Sequence, residues 1–410
     1  METAIVERYR DTPDGREAEQ ILRACVHCGF CTATCPTFQL LGDELDGPRG
    51  RIYLIKQVLE GREATRRTQM HLDRCLTCRS CETTCPSGVR YAHLADIGRF
   101  ILEERVRRPF AQRLMRLGLR KTVPIARRFR ALLKLSGPIR SLLPAGLKRK
   151  IPVAAAAVPA WPSRRHQRTV LALEGCVQQA VTPETAASAA RILDRLGISL
   201  VTEPAAGCCG ALSYHLAARE EGLDAMRRNI DAWWPLMETG AEAILITESG
   251  CGAMLKDYGH ALRNDPLYAE KAARVAGMSK DLSELLERED LTLLGIPKAG
   301  RRISFHAPCS LQHGQKLTGR VESILEATGF SLTPVHDAHI CCGSAGTYSI
   351  LQPELSGQLL EDKLVNLSQG EPELIATANI GCLLHLSTRA DRPVKHWIQL
   401  LEESCSRIRS

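Results

Sequence analysis

The residues best suited to chemistry are cysteines, and their spacing repeats. Cys25, Cys28, Cys31 and Cys35, followed by Pro36, reappear as Cys75, Cys78, Cys81 and Cys85, followed by Pro86. Each run reads C-x-x-C-x-x-C-x-x-x-C-P, the spacing by which thiolates wrap a cubane iron–sulfur cluster. Three closely spaced thiolates reach three irons from one tight turn, and the fourth is carried away from them. The proline after it lacks an N–H and fixes φ, so it turns the backbone and halts any helix. The alternatives are a zinc site or a set of disulfides. Zinc normally takes four ligands in two separated pairs, which two four-thiol runs ending in proline do not resemble.

Two runs imply two 4Fe–4S clusters as cofactors. In two-cluster ferredoxins the fourth cysteine serves the other cluster. Applied here, that rule gives Cys25, Cys28, Cys31 and Cys85 to one cluster and Cys75, Cys78, Cys81 and Cys35 to the second.

Eight further cysteines form a second repeat. Cys176 precedes the Cys208-Cys209-Gly210 run by 32 residues, and Cys309 precedes Cys341-Cys342-Gly343 by the same 32. Cys251 and Cys382 complete the two sets. Adjacent cysteines cannot point the same way on a strand, so each pair belongs on a turn, which the following glycine favours. These eight are the candidate ligands of an additional iron–sulfur cluster. Cys405 stands alone and reads as a spare thiol.

The elements that must position these groups follow from periodicity. Helical spacing marks residues 14–24, with Ala18, Ile21 and Leu22 on one face, then a helix opened by Pro48 and closed by Gly61, then Leu94–Arg105. Little strand signal accompanies them. From residue 169 onward, short apolar runs alternate with helical stretches, the signature of a parallel sheet with crossover helices. Strands are expected at Thr169–Leu173, Ile198–Thr202 and Ala243–Thr247, and again at Arg302–Phe305, Ser331–Val335 and Leu374–Thr377. Each delivers cysteines just past its carboxyl end, where open α/β sheets place their ligand crevice.

The fold class expected is therefore multidomain: an N-terminal all-α ferredoxin-like two-cluster module over 1–105, a basic proline-containing linker over 106–168, and two repeated α/β parallel-sheet cysteine-rich domains over 169–295 and 296–410. A chain of 410 residues exceeds one ordinary core. Its net charge of +8 is segregated, because residues 105–168 hold 18 Lys or Arg and no Asp or Glu. Within that linker Pro109, Pro124, Pro138, Pro144, Pro152, Pro159 and Pro162 mark short pieces. One, Ile125–Leu135, places Ile125, Phe129, Leu132 and Leu133 on one helical face among basic residues. Such a segment suits an anionic membrane surface or an acidic partner, or it is a solvated linker that happens to be basic.

With these parts in this order, the chain resembles the iron–sulfur subunits of bacterial glycolate oxidase, also called glycolate dehydrogenase. The likeness is close over Cys25–Arg99 and looser over the cysteine-pair domains, including His306-Ala307-Pro308-Cys309 and Val394-Lys395-His396-Trp397. It implies electron transfer from flavin-containing, glycolate-oxidising partner subunits, through two 4Fe–4S clusters, to a quinone or other membrane acceptor. FAD is then expected in the partner only. The chain agrees with this division, having no G-x-G-x-x-G after a strand and no acid–base constellation outside its cysteines, so no catalytic residue is assigned. The related reading is the corresponding subunit of an anaerobic glycerol-3-phosphate dehydrogenase or a lactate-utilisation complex.

Heterodisulfide reductases, which share the cysteine-pair domains, place the last cysteine of a unit in a C-x-x-C pair. Here Glu248 and Asn379 occupy the earlier position, so each unit has one thiol fewer. His306 and His339 lie near the thiols, either bonding to that region or satisfied by backbone carbonyls. His27, inside the first run, suits a hydrogen bond that tunes the cluster.

A nucleic-acid-binding protein with structural clusters is the reading from another class. The basic linker holds only Phe110, Phe129 and Trp161 for base stacking, so no nucleic acid is expected. The count of 17 cysteines without an apolar leader suggests a reducing compartment. No run of about eighteen apolar residues spans a membrane. The expected location is cytoplasmic, or peripheral at the cytoplasmic face of the inner membrane.

Overall fold

The computed structural model describes residues 1–142, 148, 151–157, 159–297 and 300–406, so Pro144 lies outside the described residues. The helix Pro13–Ala24 begins where Thr12 accepts the Gly15 N–H and Pro13 presets the first turn. Its Ala18, Ile21 and Leu22 join Ile52, Ile55 and Leu59 of the helix Pro48–Leu59 and Leu94 and Ala95 of the helix Tyr91–Arg105 in one core. Among the described residues no strand precedes residue 168. The amino-terminal module is all-α, and its helices frame the two cysteine runs.

The basic segment is more continuous than its prolines suggest. Helices span Phe110–Thr122 and Ala126–Leu142, the second running through Pro138 instead of stopping at Leu135. A proline removes one backbone donor, and here that loss does not end the helix. The segment is also anchored: Arg116 reaches Asp73 at 3.1 Å, Lys121 reaches Glu221 at 2.8 Å, and Leu133 is buried.

Each cysteine-rich unit is a four-stranded parallel sheet. Strands β1 (Arg168–Leu173), β2 (Ile198–Thr202), β3 (Ile244–Ile246) and β4 (Ser279–Asp281) lie in the order β2-β1-β3-β4. Strands β5 (Arg302–His306), β6 (Ser331–Leu332), β7 (Leu374–Thr377) and β8 (Val394–His396) repeat it as β6-β5-β7-β8. Register confirms the equivalence: Leu173 pairs with Ile246, and His306 pairs with Thr377. The edge strands β4 and β8 were not expected, since three residues reading Ser-Lys-Asp or Val-Lys-His carry almost no period-2 signal.

The two sheets share one apolar core. Ile192 and Leu193 of the helix Glu184–Arg195 pack with Trp397, Leu401 and Cys405 of the helix Trp397–Ser406. Cys405 is thus a buried core thiol. The turns after β3 and β7 also interlock. Ser249 N–H donates to the Ala378 carbonyl at 3.1 Å, Asn379 Nδ2 donates to Ser249 Oγ at 3.2 Å, and Ile380 N–H donates to Glu248. Glu248 and Asn379, standing where a further cysteine would complete a C-x-x-C, hold the units together instead.

Candidate functional site

The two cysteine runs fold alike because both visit the left-handed region at the same places. His27 and Thr77 have φ of 57° and 53°, and Gly29 and Arg79 have φ of 88° and 63°. This winding aims backbone donors at the leading thiol. Thr77 N–H lies 3.4 Å from Cys75 Sγ, and His27 N–H bonds to the Cys25 thiol. The imidazole of His27 makes no such bond, its buried Nε2 having no partner among the described residues.

Cys25, Cys28, Cys31 and Cys85 line one hollow, which Cys81 also lines. Cys85 sits near enough to bear electrostatically on both Cys25 and Cys31. Cys35 turns the other way and bears on Cys78 and Cys81. Cys85 thus lies beside the thiols of the first run, and Cys35 beside Cys78 and Cys81 of the second, the juxtaposition that crossed ligation needs. Two four-thiol sets with backbone N–H groups directed at sulfur fit cubane clusters.

The sockets differ in exposure. Around the first, Cys28 is exposed and so are Val26 (67 %) and Phe30 (61 %). The second is sealed by the second cysteine-rich unit, where Leu76 and Cys78 share an apolar patch with Cys309, Cys341 and Tyr348. Tyr348 Oη donates to the Arg74 carbonyl at 3.0 Å, and Thr83 Oγ1 lies 2.9 Å from His313 Nδ1.

Charge differs as well. Burial raises the Cys31 thiol to about 11. Burial raises Cys75 too, but the Arg51 and Arg99 guanidiniums, the Thr77 N–H and the Tyr91 hydroxyl together carry it below the usual thiol value. Arg51 is fully buried and held by the His71 carbonyl at 2.7 Å and Asp46 at 3.4 Å. Arg99 donates to the Cys75 carbonyl at 2.7 Å. Neither arginine was expected. Arg51 sits four residues before Ile55 on the buried face of its helix, and a cation in step with apolar residues was the available signal.

A polar seam fixes the helical module on the first cysteine-rich unit. The His93 and His260 rings stack at 3.6 Å, His260 Nε2 lies 2.6 Å from Glu17, and Arg263 also bonds to Glu17. Arg79, beside Cys78, pairs with Asp257. Burial lowers His93, but Asp257 and Glu17 prevail and raise it to about 9.

Eight of the nine remaining cysteines, all but Cys405, gather at the carboxyl edges of the two sheets. Cys176 Sγ lies 3.7 Å from Cys208 Sγ, and Cys309 Sγ lies 3.8 Å from Cys341 Sγ. Cys209 contacts Cys208 and Cys251, and Cys342 contacts Cys341 and Cys382, so each set forms a chain of four thiols. Gly210 and Gly343 share a φ of 89°, and a Cβ there would stand 2.7 Å from the Gly222 carbonyl and 2.6 Å from that of Ser356. His306 is buried among the second set, whereas His339 contributes its backbone carbonyl, 3.0 Å from His313 Nε2.

Comparison with known proteins agrees with this division. Residues 21–89 match the 4Fe-4S dicluster domain, and residues 170–256 and 303–387 match the Cysteine-rich domain. The chain is 56 % identical over 404 residues to the glycolate oxidase iron-sulfur subunit of Escherichia coli K12, covering 98 % of this chain and 99 % of that protein. It is 30 % identical to the probable glycolate oxidase iron-sulfur subunit of Bacillus subtilis 168, covering 92 % and 91 %. Lactate utilization protein A of Geobacillus thermodenitrificans is 29 % identical over 209 residues, covering 49 % of this chain and 82 % of that one. A crystal structure of a hypothetical protein from Helicobacter pylori shares the fold, with a TM-score of 0.53 at 11 % identity, over 97 % of this chain and 73 % of that chain.

Proposed function

Because the chain belongs to the glycolate oxidase iron–sulfur subunit family, we propose that it carries electrons away from a flavin-bearing partner that oxidises glycolate to glyoxylate. The observation that carries the reading is the pair of crossed thiol sockets, one opening to the surface and one sealed inside. Cys25, Cys28, Cys31 and Cys85 hold the outer 4Fe–4S cluster, and Cys75, Cys78, Cys81 and Cys35 hold the inner one. Such clusters take up and release single electrons.

The chain's own residues prepare that exchange. Val26 and Phe30 offer an apolar rim around the outer socket, suited to excluding water where a partner docks. Arg51 and Arg99 set two buried positive charges beside Cys75, which stabilises added negative charge at the inner socket. Glycolate is bound and oxidised on the partner, not on this chain.

No helix among the described residues is long and apolar enough to cross a membrane. The route to a quinone or other membrane acceptor runs through peripheral docking. Phe110 (77 % exposed), Leu114 and Leu117 face solvent at helical spacing, and Arg107, Arg113, Lys121, Arg127 and Arg128 are exposed around them. An amphipathic basic face of this kind binds anionic lipid headgroups.

The test is co-purification under anaerobic conditions with the flavoprotein subunits, followed by dye reduction with glycolate and, in parallel, lactate. Glycolate-dependent reduction that requires this chain for transfer to a quinone, but not for glycolate oxidation, is expected. Glycolate oxidation by the chain alone would overturn the reading. Faster reduction with lactate would favour the lactate-utilisation alternative, for which the partial likeness to lactate utilization protein A speaks.

A further inference from the structure

The two cysteine-rich units carry the same thiols but not the same donors. His306 ends β5 three residues before Cys309, and Leu173 ends β1 three residues before Cys176. Leu173 is buried in one cluster with Cys208 and Cys209, and His306 lies beside Cys342 and Cys382, so the second unit has an imidazole where the first has only a hydrocarbon. His306 is 1 % exposed, and its Nε2 has no hydrogen-bond partner among the described residues. A buried imidazole nitrogen left unpaired is costly, and buried polar atoms without partners are rare. Two thiols face it. One ring nitrogen of His306, Cys342 Sγ and Cys382 Sγ all lie within 4.8 Å of one another.

That spacing separates this group from the ferredoxin-type sockets. Among the described residues, neither the eight cubane cysteines nor the thiols of the first unit bring three donors within 4.8 Å of one another. Donors around one tetrahedral ion stand about 3.8 Å apart when the metal–sulfur bond is about 2.3 Å, whereas a four-iron cube holds its thiolates farther apart. Cys341 adjoins Cys342 but stands outside this close group, in the apolar patch that holds Cys78 and Cys309. Cys309, 3.8 Å from Cys341, lies on the side nearer Cys78.

We propose that the second cysteine-rich unit, and not the first, binds one thiophilic divalent ion of the zinc class through His306, Cys342 and Cys382. Two thiolates and one imidazole are zinc donors, and three protein ligands leave the fourth tetrahedral position to water. The ion ties β5, the Cys341-Cys342 turn and the helix Ile380–Ser387 together, immediately behind the wall that seals the inner socket.

The test is metal analysis of the full-length chain purified anaerobically after zinc supplementation, with His306→Ala, His306→Cys and Cys176→Ser alongside. Wild type is expected to hold one zinc beside the roughly eight irons of two cubanes. His306→Ala should lose the zinc while keeping those irons, which also reports that the variant has folded. His306→Cys should keep the zinc, its X-ray absorption showing a third sulfur in place of the nitrogen. Cys176→Ser should leave zinc and its shell unchanged. The proposal is overturned by wild type with no zinc, by a third iron–sulfur cluster in its place, by an all-sulfur shell in wild type, or by zinc loss in Cys176→Ser. Absence of the cubane irons would count instead against the electron-transfer reading.

Discussion

Replacing Glu248 with glutamine should change how the stability of this protein depends on pH. Glu248 is 2 % exposed at the clasp between the two cysteine-rich units. Burial lifts its carboxyl from 4.5 to about 8, the Ile380 N–H drawing it down and Asp281 pushing it further up. Below pH 4.5 the group is protonated whether the chain is folded or not. Between 4.5 and 8 the unfolded chain releases the proton and the folded chain keeps it, so stability falls as pH rises; above 8 it falls no further on this account. At about 1.36 kcal/mol per unit, a rise from 4.5 to about 8 is worth a ceiling of about 5 kcal/mol. The substituted amide is neutral in both states and its Oε1 still accepts from Ile380, so Glu248→Gln removes the slope. Any unmet amide donor adds only a constant offset. Urea unfolding from pH 5 to 9, followed by tryptophan fluorescence with Trp397 buried in the shared core, reads the difference. The variant should gain on wild type steadily up to pH 8. Parallel curves for the two proteins would refute the account of a neutral carboxyl at the clasp.

Other consequences are equally direct. Cys85→Ser should cost the cluster held by Cys25, Cys28 and Cys31 and leave its neighbour, so iron analysis and electron paramagnetic resonance should show one cubane of about four irons remaining. Asp46→Ala removes the carboxylate that meets Arg51 at 3.4 Å, His71 at 3.0 Å and Arg74 at 2.7 Å; with Arg51 left buried and unpaired, the loss is about 3–5 kcal/mol by denaturant titration. His93, raised from 6.5 to about 9 by Asp257 and Glu17, contributes stability present below pH 6.5 and lost as pH rises through 9, about 3 kcal/mol in all. His93→Gln should flatten that decline in hydrogen exchange at the helix Pro13–Ala24. Gly343→Ala places a Cβ 2.6 Å from the Ser356 carbonyl at a φ of 89° and should cost roughly 3 kcal/mol or more, with a lower melting temperature.

The cysteine grammar was legible because thiol spacing maps directly onto tight turns, and the strands near Cys176 and Cys309 because parallel strands buried on both faces read as apolar runs. The helix Pro48–Leu59 announced itself by Pro48 and Gly61 in the same way. What escaped was long-range or short. Glu17, His93 and His260 meet across more than two hundred residues, and nothing local marks them as partners. The strands β4 and β8 are three residues each and mostly polar. The basic segment misled because a proline count says where donors are missing, not whether a helix survives the loss, as it does at Pro138. His306 was singled out, but its difference from Leu173 acquires meaning only once β1 and β5 are seen to be equivalent.

The sealed inner socket constrains the order in which the molecule is built. Leu76 and Cys78 lie beneath Tyr348 and Leu355, residues made almost three hundred positions later in the chain. The ribosome releases the amino-terminal module long before this cover exists, leaving a period when both sockets are open to an assembly factor. Once the second unit closes over it, the inner site can be refilled only by opening that contact, while the outer site with its exposed Cys28 stays within reach. Damage by oxygen should therefore be repairable in place at one cluster and should require partial unfolding at the other.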